Sequence, residues 1–249
     1  GYRPVMPRRP LCCGRPLYDH GFLGLAKRQL RQILDALRVD IRRGTPVIGL
    51  EPSCMATFRD ELLAFFPDDP DAKRLSEQTY LLSEFLDREA GLDLGSLAGE
   101  EALVHGHCHH QAVLDFDAQQ RVLDRLGVKH TVLDSGCCGM AGAFGFEAEK
   151  YDVAQACGER VLLPAVREAD RRTMVLTDGF SCREMLEQNG LRRPRHTAEV
   201  LHMALERDGR LPSARPDPKL EPAAPRLGPL ALGTGVACAA YGLTRRLLR

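Results

Sequence analysis

Two adjacent cysteines held between glycines, in Asp134-Ser135-Gly136-Cys137-Cys138-Gly139-Met140-Ala141-Gly142, constrain this 249-residue chain more than any other stretch. Vicinal cysteines bridge each other only with strained disulfide geometry, so a local cross-link is not the natural use of the pair. Glycine on both sides lets the backbone take positive φ and approach a bulky neighbour closely. An apolar, strand-like run precedes the pair and a helix-like run follows it. The stretch therefore reads as a loop shaped around an inorganic group, for which further ligands must come from elsewhere.

Short apolar runs alternate with stretches of helical period, which is the pattern of parallel βαβ units and of an α/β fold. Residues 1–5 are expected to end a strand that leads into Cys12-Cys13-Gly14. A helix is predicted over 22–43, with Leu23, Ala26, Leu30, Ile33, Leu34, Leu37 and Ile41 on one face and Gly44 at its C-terminal end. Residues 46–50 read as a buried strand ending in Glu51-Pro52-Ser53-Cys54, with Ser53 as cap of the next helix. That helix should carry Phe58, Leu62 and Phe65 and stop at Pro67-Asp68-Asp69-Pro70; another is predicted over 75–89. Strands are predicted over 102–105, 130–133 and 173–176, and helices around Val122 to Leu126, over 147–163, from about Arg183, and over 197–207.

The pattern repeats. Cys12-Cys13-Gly14 and Cys137-Cys138-Gly139 lie 125 residues apart, and Ser53-Cys54 and Ser181-Cys182 lie 128 apart. The run 75–86 has a rough counterpart in 195–205. Two tandem modules account for this, residues 1–95 and 96–207, and the same offset puts a counterpart of Cys108 before Gly1. The first module is thus expected to be incomplete at its N-terminus, and the chain is read as the C-terminal part of something longer. Residues 208–226, rich in Pro, Arg and Ala, are expected to form a linker. The apolar tail 227–249, with 227–244 uncharged and Arg245 and Arg246 after it, reads either as a peripheral membrane contact or as a loosely ordered extension.

Composition narrows the chemistry. Lys plus Arg and Asp plus Glu are equal at 34, and Trp is absent, so no basic field or stacking surface points to nucleic acid. Nine cysteines are too sparse for a disulfide scaffold and belong to a reducing, cytoplasmic compartment, at the inner face of the membrane if the tail touches one. No signal peptide is expected, because Gly1-Tyr2-Arg3-Pro4 lacks an apolar core. In the second module Cys108, Cys137, Cys138 and Cys182 each follow a strand, and such loops gather at the carboxyl edge of a parallel sheet. Four thiolates from three loops suit a cubane iron–sulfur cluster, with structural zinc and a metal-free thiol site as the alternatives. His105, His107, His109 and His110 are read either as a ligand or proton relay or as local packing. Cys157 is expected to be a buried apolar thiol, Cys238 has no partner set, and Arg15, Tyr18 and Asp19 are expected to be solvated loop residues.

The run Cys108…Cys137-Cys138-Gly139…Cys182, with a second Cys12-Cys13-Gly14…Cys54, resembles the CCG cysteine-rich domain of the heterodisulfide reductase B polypeptide and of iron–sulfur subunits of glycolate-oxidase type. The phrases His105-Gly106-His107-Cys108-His109 and Asp178-Gly179-Phe180-Ser181-Cys182-Arg183 look like the C-terminal region of FAD-linked oxidases with iron–sulfur domains. The resemblance implies two tandem Rossmann-like CCG modules with mostly parallel sheets. It also implies an electron-transfer region that passes electrons from a flavin-linked 2-hydroxy-acid oxidation (D-lactate, glycolate or 2-hydroxyglutarate) to a quinone or another acceptor. Cys108, Cys137, Cys138 and Cys182 carry over as ligands of the second module, a 4Fe–4S cluster, and Cys12, Cys13 and Cys54 as those of the first, which reads equally as a cluster site or as a vestigial, structural copy. FAD and ferredoxin-type domains would lie upstream or on a partner chain, so no residue of this chain is assigned to catalysis at carbon. The family's heterodisulfide-type motif ends in C-x-x-C, whereas Cys54 and Cys182 each stand alone. That departure favours the electron-transfer reading over a heterodisulfide-like thiol enzyme; a zinc-stabilised docking module is a third reading.

Overall fold

Short strands alternate with helices along the chain, the βα alternation that a parallel sheet requires. The structure is a computed structural model and describes residues 2–7 and 9–211, which belong to one compact unit, Gly1–Ser213. The tail 227–249 and most of the expected linker lie outside the described residues. Among the described residues no helix is long and apolar enough to cross a membrane.

Helix α1 (Arg15–Asp19) opens at Gly14 and is followed by α2 (Leu23–Arg42). Ala26, Leu30, Ile33, Leu34 and Ile41 form the buried stripe of α2, as the 3.6-residue period requires. Strand β1 (Val47–Gly49) leads through Glu51 into α3 (Pro52–Arg59), then α4 (Glu61–Phe65) and α5 (Pro70–Glu77). Strand β2 (Thr79–Leu81) pairs parallel with β1, and α6 (Leu82–Arg88) follows it at once. The second half runs β3 (Glu101–Val104), α7 (Cys108–Val113), α8 (Phe116–Arg125), β4 (Lys129–Val132), α9 (Tyr151–Glu159), α10 (Leu162–Glu168), β5 (Met174–Leu176), α11 (Phe180–Gln188) and α12 (Thr197–Arg207). Its sheet is parallel with order β4-β3-β5, and Leu176 adds a parallel bridge to Arg195.

Side chains alternate across this second sheet. Ala102, Val104 and Leu176 join Val122, Leu123, Leu126, Val200 and Ala204 on one face. Leu103 and Val175 join Met140, Leu163, Met185 and Leu186 on the other. A period of two with both faces apolar is what a sheet covered on both sides needs. The first half has its own core around Leu30, Leu34, Leu62, Leu75 and Leu81.

Glu84 and Arg125 are among the residues that tie the halves together. Glu84 pairs with Arg59 at 2.9 Å, accepts from the Leu81 N–H, and accepts from the Asp115 N–H at 2.9 Å. The Arg125 guanidinium donates to the carbonyls of Leu86 at 2.5 Å and Leu92 at 2.7 Å, with those of Glu89 and Ala90 at 3.5 and 3.4 Å.

Several expectations need correction. The single helix expected over 75–89 is broken by β2, because Thr79, Tyr80 and Leu81 pair with β1 and the Thr79 hydroxyl caps the Leu75 carbonyl. The helix over 147–163 is two helices, preceded by 3₁₀ turns at Phe144–Phe146 and Ala148–Lys150. No strand forms over residues 2–7, which have no partner strand to pair with among the described residues. Ser53 is not the cap of α3; Glu51 holds that place, and its side chain accepts from the Ser53 N–H. Arg15 is buried rather than solvated, because it pairs with Glu61 at 2.5 Å. Cys157 is half-buried, since its helix leaves Val153 in solvent.

Candidate metal centre

Strands β3, β4 and β5 lie side by side, and the loops at their carboxyl ends bring Cys108, Cys137–Cys138 and Cys182 together. Cys108 is the first residue of α7, and Cys182 stands third in α11. Both thiols sit in the first turn of their helices, where the helix dipole favours negative charge. Along the run Cys108, Cys137, Cys138 and Cys182, each thiol perturbs the titration of the next. Cys138 and Cys182 are buried, Cys108 is half-buried and Cys137 is exposed.

These contacts divide the protons unevenly. The Cys108 and Cys138 contacts hold Cys137 well below an ordinary thiol, and Gly139 N–H helps by donating to its sulfur at 3.4 Å. The Cys138 contact, with His105 beside it, lowers Cys182 despite full burial. Cys108 and Cys138 are pushed far up, first by the same thiol neighbours and then by burial. A cation that takes all four thiols must displace the protons they still carry.

The surroundings fit a bulky thiophilic group. A ring nitrogen of His105 and the sulfurs of Cys138 and Cys182 lie within 4.8 Å of one another, as do donor atoms of His107, Cys108 and His109. His105 Nδ1 is 2.6 Å from Ser135 Oγ, and its buried Nε2 has no partner. Gly139 turns through φ 99°, and a Cβ there would come within 2.1 Å of the Ala154 carbonyl oxygen. A Cβ at Gly179 would meet the His107 ring at 2.2 Å and the Cys182 sulfur at 3.2 Å. Among the described residues the four thiols do not share one group with every sulfur within 4.8 Å of the others. Four thiols with histidine nitrogens beside them are a soft donor set of the kind that takes zinc or an iron–sulfur centre.

The first cysteine group is smaller. Cys13 and Cys54 sulfurs are 3.1 Å apart, Cys13 is buried and Cys12 is exposed. The Cys54 contact holds Cys13 down to about 7, and the same contact with burial pushes Cys54 far up. Gly14 has φ 80°, as Gly139 has φ 99°, and Cys54 stands third in α3, as Cys182 does in α11. The two groups share one side of the molecule. Asp19 reaches the second loop, since a Cβ at Gly142 would lie 3.0 Å from its Oδ2. Burial, with Arg15 contributing, pushes the His109 imidazole below its ordinary range.

Sequence reasoning named all seven cysteines. It missed Glu51, whose Oε2 accepts from the Phe180 N–H at 2.8 Å, and the Asp178 cluster behind Cys182. Asp178 accepts from the Thr197 N–H at 2.7 Å and from Gln119 Nε2 at 3.0 Å. An acid directly preceding Pro-Ser-Cys, and another ending the strand before Gly-Phe-Ser-Cys, were the available signals.

The donor set and the βα loops that carry it define a cysteine-rich metal-binding module on a parallel sheet. Residues 103–187 match the family described as the CCG cysteine-rich domain, and this segment is such a domain. The chain is 31% identical over 205 residues to the C polypeptide of anaerobic glycerol-3-phosphate dehydrogenase from Escherichia coli (strain K12), covering 78% of this chain and 49% of that one. It is 29% identical over 191 residues to D-2-hydroxyglutarate dehydrogenase of Pseudomonas putida, covering 76% of this chain and 18% of the other. It is 27% identical over 208 residues to lactate utilization protein A of Bacillus velezensis, covering 80% and 83%. The chain thus spans about half the length, 49%, of the glycerol-3-phosphate dehydrogenase polypeptide.

Proposed function

We propose that this chain is the iron–sulfur electron-transfer region of a flavin-linked oxidoreductase that oxidises a 2-hydroxy acid of the D-lactate, glycolate or 2-hydroxyglutarate kind. The observation that carries the reading is the gathering of four thiols from three adjacent βα loops at one sheet edge, with a buried histidine nitrogen beside two of them. Cys108, Cys137, Cys138 and Cys182 would hold a 4Fe–4S cluster, which when bound takes up and releases single electrons. The residues around it set its environment. Gly139 lets its loop pack onto α9 and Gly179 lets the His107 ring approach Cys182, the N-termini of α7 and α11 offset the cluster's negative charge, and His105 supplies a buried ring nitrogen fixed by Ser135. The FAD would lie on an upstream part or a partner flavoprotein, with ferredoxin-type domains between, and a quinone or another acceptor would receive the electrons. The names of the relatives support a dehydrogenase context.

The tandem reading, modules over 1–95 and 96–207, has local support. After each Ser-Cys helix a parallel pairing follows (β2 with β1, Arg195 with Leu176), and then a helix with glutamate at its third position, Glu84 or Glu199. Cys12, Cys13 and Cys54 would hold the first module's group. A second reading of that site is thiol–disulfide chemistry, favoured by the Cys13–Cys54 distance of 3.1 Å.

Anaerobically prepared protein tests this. It should be brown and contain iron and acid-labile sulfide, and Cys138→Ser should remove the iron of the second site. Colourless protein with stoichiometric zinc overturns the electron-transfer reading. Iron confined to the second site, with Cys13 and Cys54 recovered as a disulfide, would select the second reading for the first site.

A further inference from the structure

Helix α11 carries Cys182 but has no side-chain cap of its own, since its N-cap is Gly179. The cap comes from the other half of the chain. Glu51, the N-cap of α3, accepts with Oε1 from the Ser53 N–H at 3.3 Å and the Ser53 hydroxyl at 2.7 Å. Its Oε2 accepts from the Phe180 N–H at 2.8 Å, the first amide of α11. One carboxylate thus closes the N-termini of two helices, each with a cysteine at its third position, Cys54 and Cys182. The preceding residue is held from the same side, because His196 Nε2 lies 2.7 Å from the Leu50 carbonyl oxygen.

We infer that Glu51 is a positioning residue shared by the two cysteine sites, fixing both cysteine-bearing helix starts and setting the electron affinity of both sites together. The inference rests on the reading that both sites hold redox-active metal centres. Orphan N–H groups at a helix start concentrate positive potential, and a carboxylate there cancels part of it. Adding an electron beside that carboxylate is less favourable than adding it beside a neutral amide, by the Coulomb interaction across a few ångströms of low-dielectric protein. Because Glu51 touches both helix starts, changing its charge moves both sites in one direction. A cap that served α3 alone would move only the first.

Potentiometric titration of the anaerobically isolated full chain, followed by electron paramagnetic resonance, reads each site separately. Glu51→Gln keeps the shape and an acceptor oxygen but removes the charge. It should raise both midpoint potentials, by about tenfold in the reduction equilibrium, about 59 mV for one electron. Glu51→Asp restores the charge and should bring both back toward the parent. Phe180→Pro deletes the α11 donor without touching Glu51, at a first helical position where proline is tolerated, as Pro52 is in α3. It should move the second site alone. Unchanged potentials in Glu51→Gln, a shift at only one site, or a Phe180→Pro protein with an unmoved second site would overturn the inference while leaving the metal reading intact. Parent protein lacking metal centres would overturn both.

Discussion

Cys13–Gly14 with Cys54, and Cys138–Gly139 with Cys182, follow the same local plan on two separate sheets. Each has a left-handed glycine after a cysteine pair and a cysteine third in a helix that follows a strand. Their surroundings differ. The second group adds Cys108 from a third strand, a buried histidine and a glycine loop packed onto α9. The first is closed by the buried Arg15–Glu61 pair, with Cys12 left exposed. A repeated backbone plan therefore does not give the two groups the same donor set. The third strand and what packs behind the glycine set them apart.

The twin glycines offer the sharpest way to break this comparison. At Gly139 an alanine meets both positive φ and a 2.1 Å clash with the Ala154 carbonyl oxygen, and nothing can move except α9 itself. Gly139→Ala should cost about 4 kcal/mol or more and strip the second site of metal. At Gly14 the nearest atoms, on the Ala26 backbone, stand at 3.2 Å, a tight contact but not an overlap, so Gly14→Ala should cost about 1–2 kcal/mol, mostly from the left-handed backbone. Denaturant unfolding of both variants measures this, and equal losses would refute the difference in packing.

The Arg15–Glu61 pair should come next. The two side chains are 10% and 12% exposed, so Arg15→Met strands a mostly buried carboxylate. The expected loss is about 3 kcal/mol, with second-site metal content unchanged. A loss below about 1 kcal/mol would show that the first site is not seated by this pair.

The smallest effect is acid sensitivity of the first half. Arg31 holds the Asp69 carboxyl below the usual range, and Arg42 does so for Asp71. Their stabilisation is complete above the unfolded carboxylate value of about 3.9 and is lost as pH falls through the lower folded values. Asp71→Asn should therefore flatten the acid limb of the stability profile, and an unaltered limb would exclude Asp71 from it.

Much of this was legible in the residues. Periodicity found α2 and α12, and cysteine–glycine phrases found the loops that gather at one sheet edge. Strand β2 was hidden because Thr79-Tyr80-Leu81 sits inside a run of helical spacing, and only its partner β1 makes it a strand. Glu51 was hidden for a related reason. Its second partner is 129 residues away, and no local pattern announces a cap donated across the molecule.

Arg125 bears on how the chain would meet a protease. Residues 86–92 join the two halves, and a single guanidinium grips four of their carbonyls. A peptide must straighten and free its own carbonyls to enter a proteolytic cleft, so this connection is closed to cutting while Arg125 stays in place. The seam between the halves is a clasp, and limited digestion should open it only after the second half has begun to unfold.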